Sequence, residues 1–361
     1  MTKLAIVHDY LTQTGGAERL ALALSDIFPE ALIYTSVYAP EATLSEFGGR
    51  DIRTTFLQGR FAPEHFRYAA PLYGQAFRSL DLSEFDKVIV STSGFAHHIK
   101  HPNAFVYCHT PPHFLYELDA YMNKGVARSV AQGVVPALRA GDKRAARRHA
   151  NYVANSFETA EKIRKTYEKI TPVIHPPFST THLPPSVSAL PAEPRALMIG
   201  RLMPYKRFDT AIRACHIANV PLTVVGGGPD EARLRSLATE LNSNTAFTGR
   251  VSDEDLAELW NWHSVALMPG VEDFGFAPLD ANYSGRPIVG RNAGGALETI
   301  VDGVTGMHVD GDDPAVWAEA ILNTLHQQWD PVVLRESTTP FQFPAFRSKV
   351  LEWVGESVPV A

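Results

Sequence analysis

Short apolar, β-branched runs alternate with amphipathic stretches along both halves of the 361-residue chain. In the first half, 4–8, 32–37, 87–91, 104–108 and 152–154 predict strands, while 17–28, 66–80, 130–150 and 157–169 predict helices. In the second, 196–199, 222–225, 246–248, 265–268 and 287–289 predict strands, and 207–218, 230–241, 253–262, 277–284 and 314–328 predict helices. Near-continuous apolar strands separated by helices mean parallel sheets covered on both faces. The expected class is α/β, two Rossmann-like doubly wound domains, with a ligand held at the carboxyl ends of the strands. The tail from Phe341 to Val354 carries helical apolar spacing.

A proline-crowded stretch holding Pro172, Pro176, Pro177, Pro184, Pro185, Pro191 and Pro194 divides the halves. Proline removes backbone donors and fixes φ, so the stretch reads as a linker. The expected domains are 1–175 and 176–344. Before His175/Pro176 there are 20 Lys and Arg against 17 Asp and Glu, and after it 13 against 22, so the halves carry +3 and -9. That asymmetry predicts different partners for the two halves.

A composition of 45% hydrophobic and 20% charged residues excludes a disordered, collagen-like or disulfide-stapled chain. The net charge of -6 argues against a generic nucleic-acid binder. Cys108 and Cys215 form no CxxC, so no cysteine zinc site or disulfide framework is expected. No apolar run reaches the ~20 residues of a membrane span. A soluble, cytosolic protein is the expectation.

The sharpest constellation runs from Pro269 to Ala281: a loop with Glu272 and Gly275, then Pro278 where a helix begins and Asp280 in its first turn. Backbone amides from Phe274 through Gly275 to Phe276 would face an anion, and the two carboxylates would accept hydrogen bonds from hydroxyls of one ligand. Upstream, Gly200 ends a strand, Arg201 follows, and Lys206 stands where the next helix is expected. Cations and close backbone approach are what a diphosphate needs. The pair Gly15-Gly16, after the first strand and before a helix, lets a phosphate or sugar near the backbone. His109 ends a strand before Thr110 and two prolines, at the ligand edge, as a hydrogen-bond donor or a base.

Other strings carry less. Neither Gly15-Gly16 nor Gly226-Gly227-Gly228 completes GxGxxG, which argues against a dinucleotide-dependent dehydrogenase. His97, His98 and His101 lie close in sequence without a metal-ligand spacing. Asp253-Glu-Asp255 reads as a helix cap with Ser252, and Asp310-Gly-Asp312 as a turn, rather than as metal sites.

Taken in order, Gly15-Gly16-Ala-Glu-Arg, Asn155-Ser156, Pro176-Pro177-Phe, Gly200-Arg201 with Lys206, Val224 to Pro229, Phe247 to Val251, 269–281 and Asn292 to Glu298 resemble glycosyltransferase family 4. The stretch Tyr107 to Pro112 is further similar to bacterial mannosyltransferases of surface-polysaccharide assembly. The resemblance implies a GT-B fold, two Rossmann-like domains facing each other across a cleft, with the last helix, 345–361, packing back on the first domain. It implies a retaining, metal-independent hexosyltransferase without cofactor, using a nucleotide-diphospho-sugar, with GDP-mannose the expected donor. Arg201 and Lys206 would hold the diphosphate, Glu272 the sugar hydroxyls and Asp280, where the family usually has glutamate, the ribose. Gly15, Gly16 and the Phe274 to Phe276 amides would complete the donor site, with Arg250 near the base. His109 would position sugar.

The acceptor, a saccharide or lipid-linked saccharide, would bind the first domain. Five basic residues between Arg139 and Arg148, with Arg144, Arg147 and Arg148 at helical spacing, would hold the protein at the inner, anionic membrane face. A UDP-sugar-dependent transferase, a sugar-nucleotide-binding scaffold without catalysis, and a sugar-nucleotide epimerase or phosphorylase of similar architecture are the alternatives. Neither the base, the sugar, the acceptor nor the oligomeric state is fixed by these residues.

Overall fold

The computed structural model describes residues 2–60, 70–117, 126–191 and 193–356. The chain forms two compact units, Met1–Pro177 with Phe346–Ala361, and Phe178–Ala345.

The first unit is built on β1 (Leu4–His8), β2 (Leu32–Thr35), β3 (Ile52–Thr54), β4 (Lys87–Thr92), β5 (Ala104–Cys108) and β6 (Asn151–Ala154). Its helices are α1 (Gly16–Ile27), α2 (Ala70–Arg78), α3 (His113–Tyr116), α4 (Val126–Arg148) and α5 (Phe157–Tyr167). The six strands are all parallel, in the order β3-β2-β1-β4-β5-β6. Such an order reverses between β1 and β4, the switch point where open α/β sheets take ligands. Ala5, Val7, Val88, Val90 and Val106 of the sheet pack with Phe77 and Phe95 in one core. Ser156 starts α5 by accepting from the Thr159 amide at 3.0 Å, a cap that satisfies one of the helix's orphan donors.

The second unit repeats the plan. Its strands β7 (Ala196–Ile199), β8 (Leu222–Val225), β9 (Thr245–Gly249), β10 (Val265–Met268), β11 (Ile288–Arg291) and β12 (Gly306–Val309) are parallel, ordered β12-β11-β10-β7-β8-β9. The switch point falls between β7 and β10. Helices α6 (Phe208–Ala218), α7 (Glu231–Glu240), α8 (Asp253–Trp262), α9 (Ala277–Tyr283), α10 (Ala296–Thr299), α11 (Pro314–His326) and α12 (Pro331–Glu336) follow the strands. One face of the sheet buries Val224, Leu267 and Val289 with Trp317 and Ile321, and the other buries Leu197, Ala266 and Met268 with Trp260 and Phe274.

Differences from the sequence expectations are local. Strands β3 and β12 and helices α10 and α12 carry no long apolar run and were not anticipated. Part of the expected helix over 66–80 lies outside the described residues. Lys206 does not open a helix: it closes a 3-10 turn, Pro204–Lys206, and Arg207, at φ 57°, separates that turn from α6. The final helix α13 (Phe343–Val354) sends Phe346 and Trp353 edge-on against Tyr107 and Phe105 of β5, while Lys87 donates to the Val354 carbonyl at 2.9 Å. Ser252 caps α8 through the Asp255 amide at 3.1 Å, and Asp312 is paired with Arg207 and Arg291, so both acidic strings serve structure.

Candidate functional site

In the second unit, the loops after β7 and β10 flank the switch point. Lys206 on the first and Glu272 on the second meet at 2.6 Å, Nζ to Oε1, with both side chains largely sheltered. Burial works against the Lys206 charge, but the Glu272 carboxylate more than offsets it and holds the ammonium above its ordinary value. Glycine makes the approach possible. A Cβ on Gly270 would meet the Lys206 Cα and the Tyr205 carbonyl at 2.6 Å, and one on Gly200 would crowd the Lys206 ammonium at 3.3 Å.

Behind Glu272 the chain turns at Gly275, φ 75°, between Phe274, buried, and Phe276, whose rings meet edge-on at 5.3 Å. The amides of Gly275 and Phe276 donate to no other described residue. The Gly295 amide donates to the Glu272 carbonyl at 2.9 Å, and any side chain on Gly295 would strike Phe274, so the loop after β11 braces this bend. Asp280, in the first turn of α9, lies 3.4 Å from His182, a neighbour that the sequence did not single out.

Arg201 and Arg250 are exposed and, among the described residues, form no hydrogen bond or ion pair. Arg201 is close enough to influence the Tyr205 hydroxyl, which borders Lys206. Arg250 follows the edge strand β9, two strands from β7, and nothing ties it to Lys206 or Glu272.

In the first unit, a file of polar side chains crosses its own switch point. His109 Nε2 meets Ser91 Oγ at 2.8 Å, and Ser91 Oγ meets His8 Nδ1 at 3.0 Å. His8 Nε2 faces Glu18 Oε1 at 4.0 Å, and Gln13 donates to that oxygen at 3.1 Å. His8 and Ser91 are register partners in neighbouring strands, and Glu18 sits in the first turn of α1 just past Gly15 and Gly16. A Cβ on Gly15 would come within 2.6 Å of Glu18 Oε2. Burial, and then the nearby His8, push the His109 imidazole down to about 3, so it is neutral at physiological pH.

A separate buried cluster brings ligand atoms of His97, His98 and Asp142 within 4.8 Å of one another. Asp142 accepts from the Tyr116 and Tyr167 hydroxyls at 2.7 and 2.9 Å and lies 2.9 Å from His97 Nε2. Burial opposes its charge, but His97 holds the carboxyl well below the usual range. His101, by contrast, bonds the Phe85 carbonyl at 3.0 Å. Along α4, Arg144, Arg147 and Arg148 are exposed, whereas Arg139 donates to the Leu115 carbonyl and stacks on Tyr116. Among the described residues, no helix is long and apolar enough to cross a membrane.

Residues 185–339 match the family Glycosyl transferases group 1. Over 199 residues the chain is 30% identical to the D-inositol 3-phosphate glycosyltransferase of Streptomyces avermitilis, covering 47% of this chain and 43% of that protein. Over 183 residues it is 30% identical to the GDP-mannose-dependent alpha-(1-6)-phosphatidylinositol monomannoside mannosyltransferase of Mycolicibacterium smegmatis, covering 42% and 48%. The matched stretch thus spans less than half of each relative. Solved structures match almost end to end: Anabaena HepE in complex with UDP at TM-score 0.72 and 17% identity, over 98% of this chain and 99% of that one, and sucrose-phosphate synthase from Thermosynechococcus elongatus at 0.71 and 16%, over 97% and 98%. The fold is GT-B, with two Rossmann-like α/β domains.

The family match encloses Arg201, Lys206, Arg250, Glu272, Phe274, Gly275, Phe276 and Asp280 and leaves out Gly15, Gly16 and His109. Sequence reading missed His182, whose signal is only a histidine in a proline-rich stretch, and the His8, Ser91 and Glu18 file. Glu18 stood in the quoted glycine motif without a role, and His8 and Ser91 are ordinary strand-end residues until β1 pairs with β4.

Proposed function

We propose that this protein is a retaining glycosyltransferase that moves a hexose, mannose from GDP-mannose, onto a saccharide or lipid-linked acceptor in surface-polysaccharide synthesis, with no bound metal. The observation that supports it most is the Lys206 and Glu272 pair, 2.6 Å apart at the switch point of the unit that matches the family. Departure of a nucleoside diphosphate builds negative charge on its β-phosphate, and a fixed ammonium stabilises that charge. At an effective dielectric of 20, two unit charges at 4 Å interact by about 4 kcal/mol. Arg201, with no hydrogen bond or ion pair to break among the described residues, adds a second cation on the same loop. Glu272, held by Lys206, accepts hydrogen bonds from sugar hydroxyls, and Asp280 does so from the ribose. Two curated mannosyltransferase relatives named as GDP-mannose-dependent favour mannose over other hexoses.

Thermal shift with GDP, UDP and ADP, followed by incubation with GDP-mannose and UDP-glucose in the presence of EDTA, tests the reading. GDP is expected to give the largest shift. GDP-mannose is expected to be consumed despite chelation, with the anomeric configuration kept in the product. A larger shift with UDP, or inversion in the product, overturns the corresponding part. Binding without turnover, unchanged by Glu272→Ala, would mean a scaffold instead. The exposed Arg144, Arg147 and Arg148 support contact with an anionic bilayer at the inner membrane face, and equal sedimentation with neutral and anionic vesicles would count against it.

A further inference from the structure

We propose that Glu18 fixes the tautomer of His109 from a distance, through His8 and Ser91, so that His109 offers Nδ1 as a hydrogen-bond acceptor. Ser91 Oγ lies between His8 Nδ1 at 3.0 Å and His109 Nε2 at 2.8 Å, and a hydroxyl has a single proton to donate.

Suppose that the proton goes to His8 Nδ1. His8 then carries its own hydrogen on Nε2, and His109 must donate from Nε2 to the serine oxygen, which leaves a lone pair on His109 Nδ1. With a single ring proton on His8, the other arrangements place it on Nδ1 and turn a lone pair on Nε2 toward Glu18. His8 Nε2 and Glu18 Oε1 are 4.0 Å apart, too far for a hydrogen bond. The choice is therefore electrostatic: an N–H dipole aimed at a carboxylate against a lone pair aimed at it. His8 and Glu18 are each 1% exposed, so no solvent screens that preference. Neither His8 Nε2 nor Glu18 Oε2 has a hydrogen-bond partner among the described residues, so the carboxylate is the group that sorts the two states. Gln13 donates to Glu18 Oε1, which keeps that oxygen an acceptor.

Glu18 and Ser91 are thus positioning residues that act through His109. Serving a substrate rests on the glycosyl-transfer reading: His109 Nδ1 would accept from a sugar hydroxyl, in place of the donor role that the resemblance implied. The tautomer itself does not rest on that reading.

The test uses the full-length protein labelled with ¹⁵N-histidine, with no donor or acceptor present, and long-range proton–nitrogen correlation spectra. The His109 and His8 signals are assigned by His109→Gln and His8→Asn. In the wild type, His109 Nδ1 is expected at the pyridine-like shift and Nε2 at the pyrrole-like shift. Glu18→Ala is expected to move Nδ1 toward the pyrrole-like position. Glu18→Gln keeps the shape and an acceptor for Gln13 while removing the charge, so it should move Nδ1 part of the way and carries the test if the alanine variant fails to fold. In a Ser91→Ala background, replacing Glu18 should no longer change His109. A wild-type His109 protonated on Nδ1, or one whose shifts ignore both Glu18 variants, overturns the proposal. Lack of glycosyl transfer leaves it standing.

Discussion

Lys206 Nζ lies 2.6 Å from Glu272 Oε1, and this contact joins the loops on either side of the point where the second sheet reverses its strand order. Each partner is built by its neighbour: the ammonium keeps its charge because the carboxylate is there, and the carboxylate is held in one place by the ammonium. The pair also has consequences beyond chemistry.

Lys206→Met should lower turnover of the nucleotide-sugar by about 10² to 10³, the usual effect of removing one preorganised donor of transition-state charge. Steady-state rates with the preferred donor would check it, and a change below 5-fold would remove Lys206 from the reacting centre. The same pair sets a pH limit. Because the folded value of Lys206 lies above its unfolded one, its contribution to stability is complete below the ordinary lysine value and is lost as pH climbs through the folded value. The stability difference between wild type and Lys206→Met should narrow only in strongly alkaline buffer, as measured by urea unfolding.

Asp280→Ala should act mainly on donor affinity. A hydrogen bond to a charged group is worth about 1.5 to 3 kcal/mol, so KM should rise by roughly 10-fold or more while kcat changes less. His182→Ala, which removes the neighbour 3.4 Å away, should raise KM in the same direction by a smaller factor. If KM with Asp280→Ala stays at the wild-type level, Asp280 does not hold the donor.

Acid should unfold the protein early. Burial brings His98 and His149 to about 4 and His109 to about 3. The unfolded chain binds protons on these rings at its ordinary value near 6.5, which the fold refuses. Stability is therefore full above about 6.5 and falls as pH drops toward 4. Melting temperature should decline steadily from pH 7 to pH 4.5, and a flat profile would contradict these assignments.

Arg286 is wholly buried and donates to the Trp260 and Ser188 carbonyls at 2.9 Å each and to Ser188 Oγ at 2.7 Å. Burial lowers its guanidinium to about 10. Arg286→Met should cost on the order of 3 kcal/mol because those carbonyls lose their donor. Arg286→Lys should not restore it, since an ammonium lacks the planar fork that reaches separate acceptors. Chemical denaturation of the three proteins would decide.

Most strands were legible because a buried parallel strand is a run of apolar residues, as in Val88 to Val90 or Val265 to Leu267. Strands β3 and β12 were not, since Ile52–Thr54 is three residues long around an exposed Arg53, and Gly306–Val309 includes His308, which bonds Asp302 instead of the core. Loop residues such as Lys206, Glu272 and Asp280 could be picked out because glycine and proline mark their turns. The file from His109 to Glu18 was invisible for a different reason. His8 and Ser91 are 83 positions apart, and only strand pairing puts them face to face. His182 and Asp280 come together by the same kind of long-range closure, from a stretch with no periodicity to read.

The return of α13 to β5 makes the first unit a product of both ends of the chain. During synthesis Tyr107 and Phe105 emerge long before Phe346 and Trp353, and Lys87 waits for Val354 and Glu356. The second unit, continuous in sequence, can close on the ribosome while the first still exposes an apolar strip. Late translation, rather than early, is then the vulnerable period, and a stop codon at Phe346 would leave a finished second unit attached to an unfinished first one.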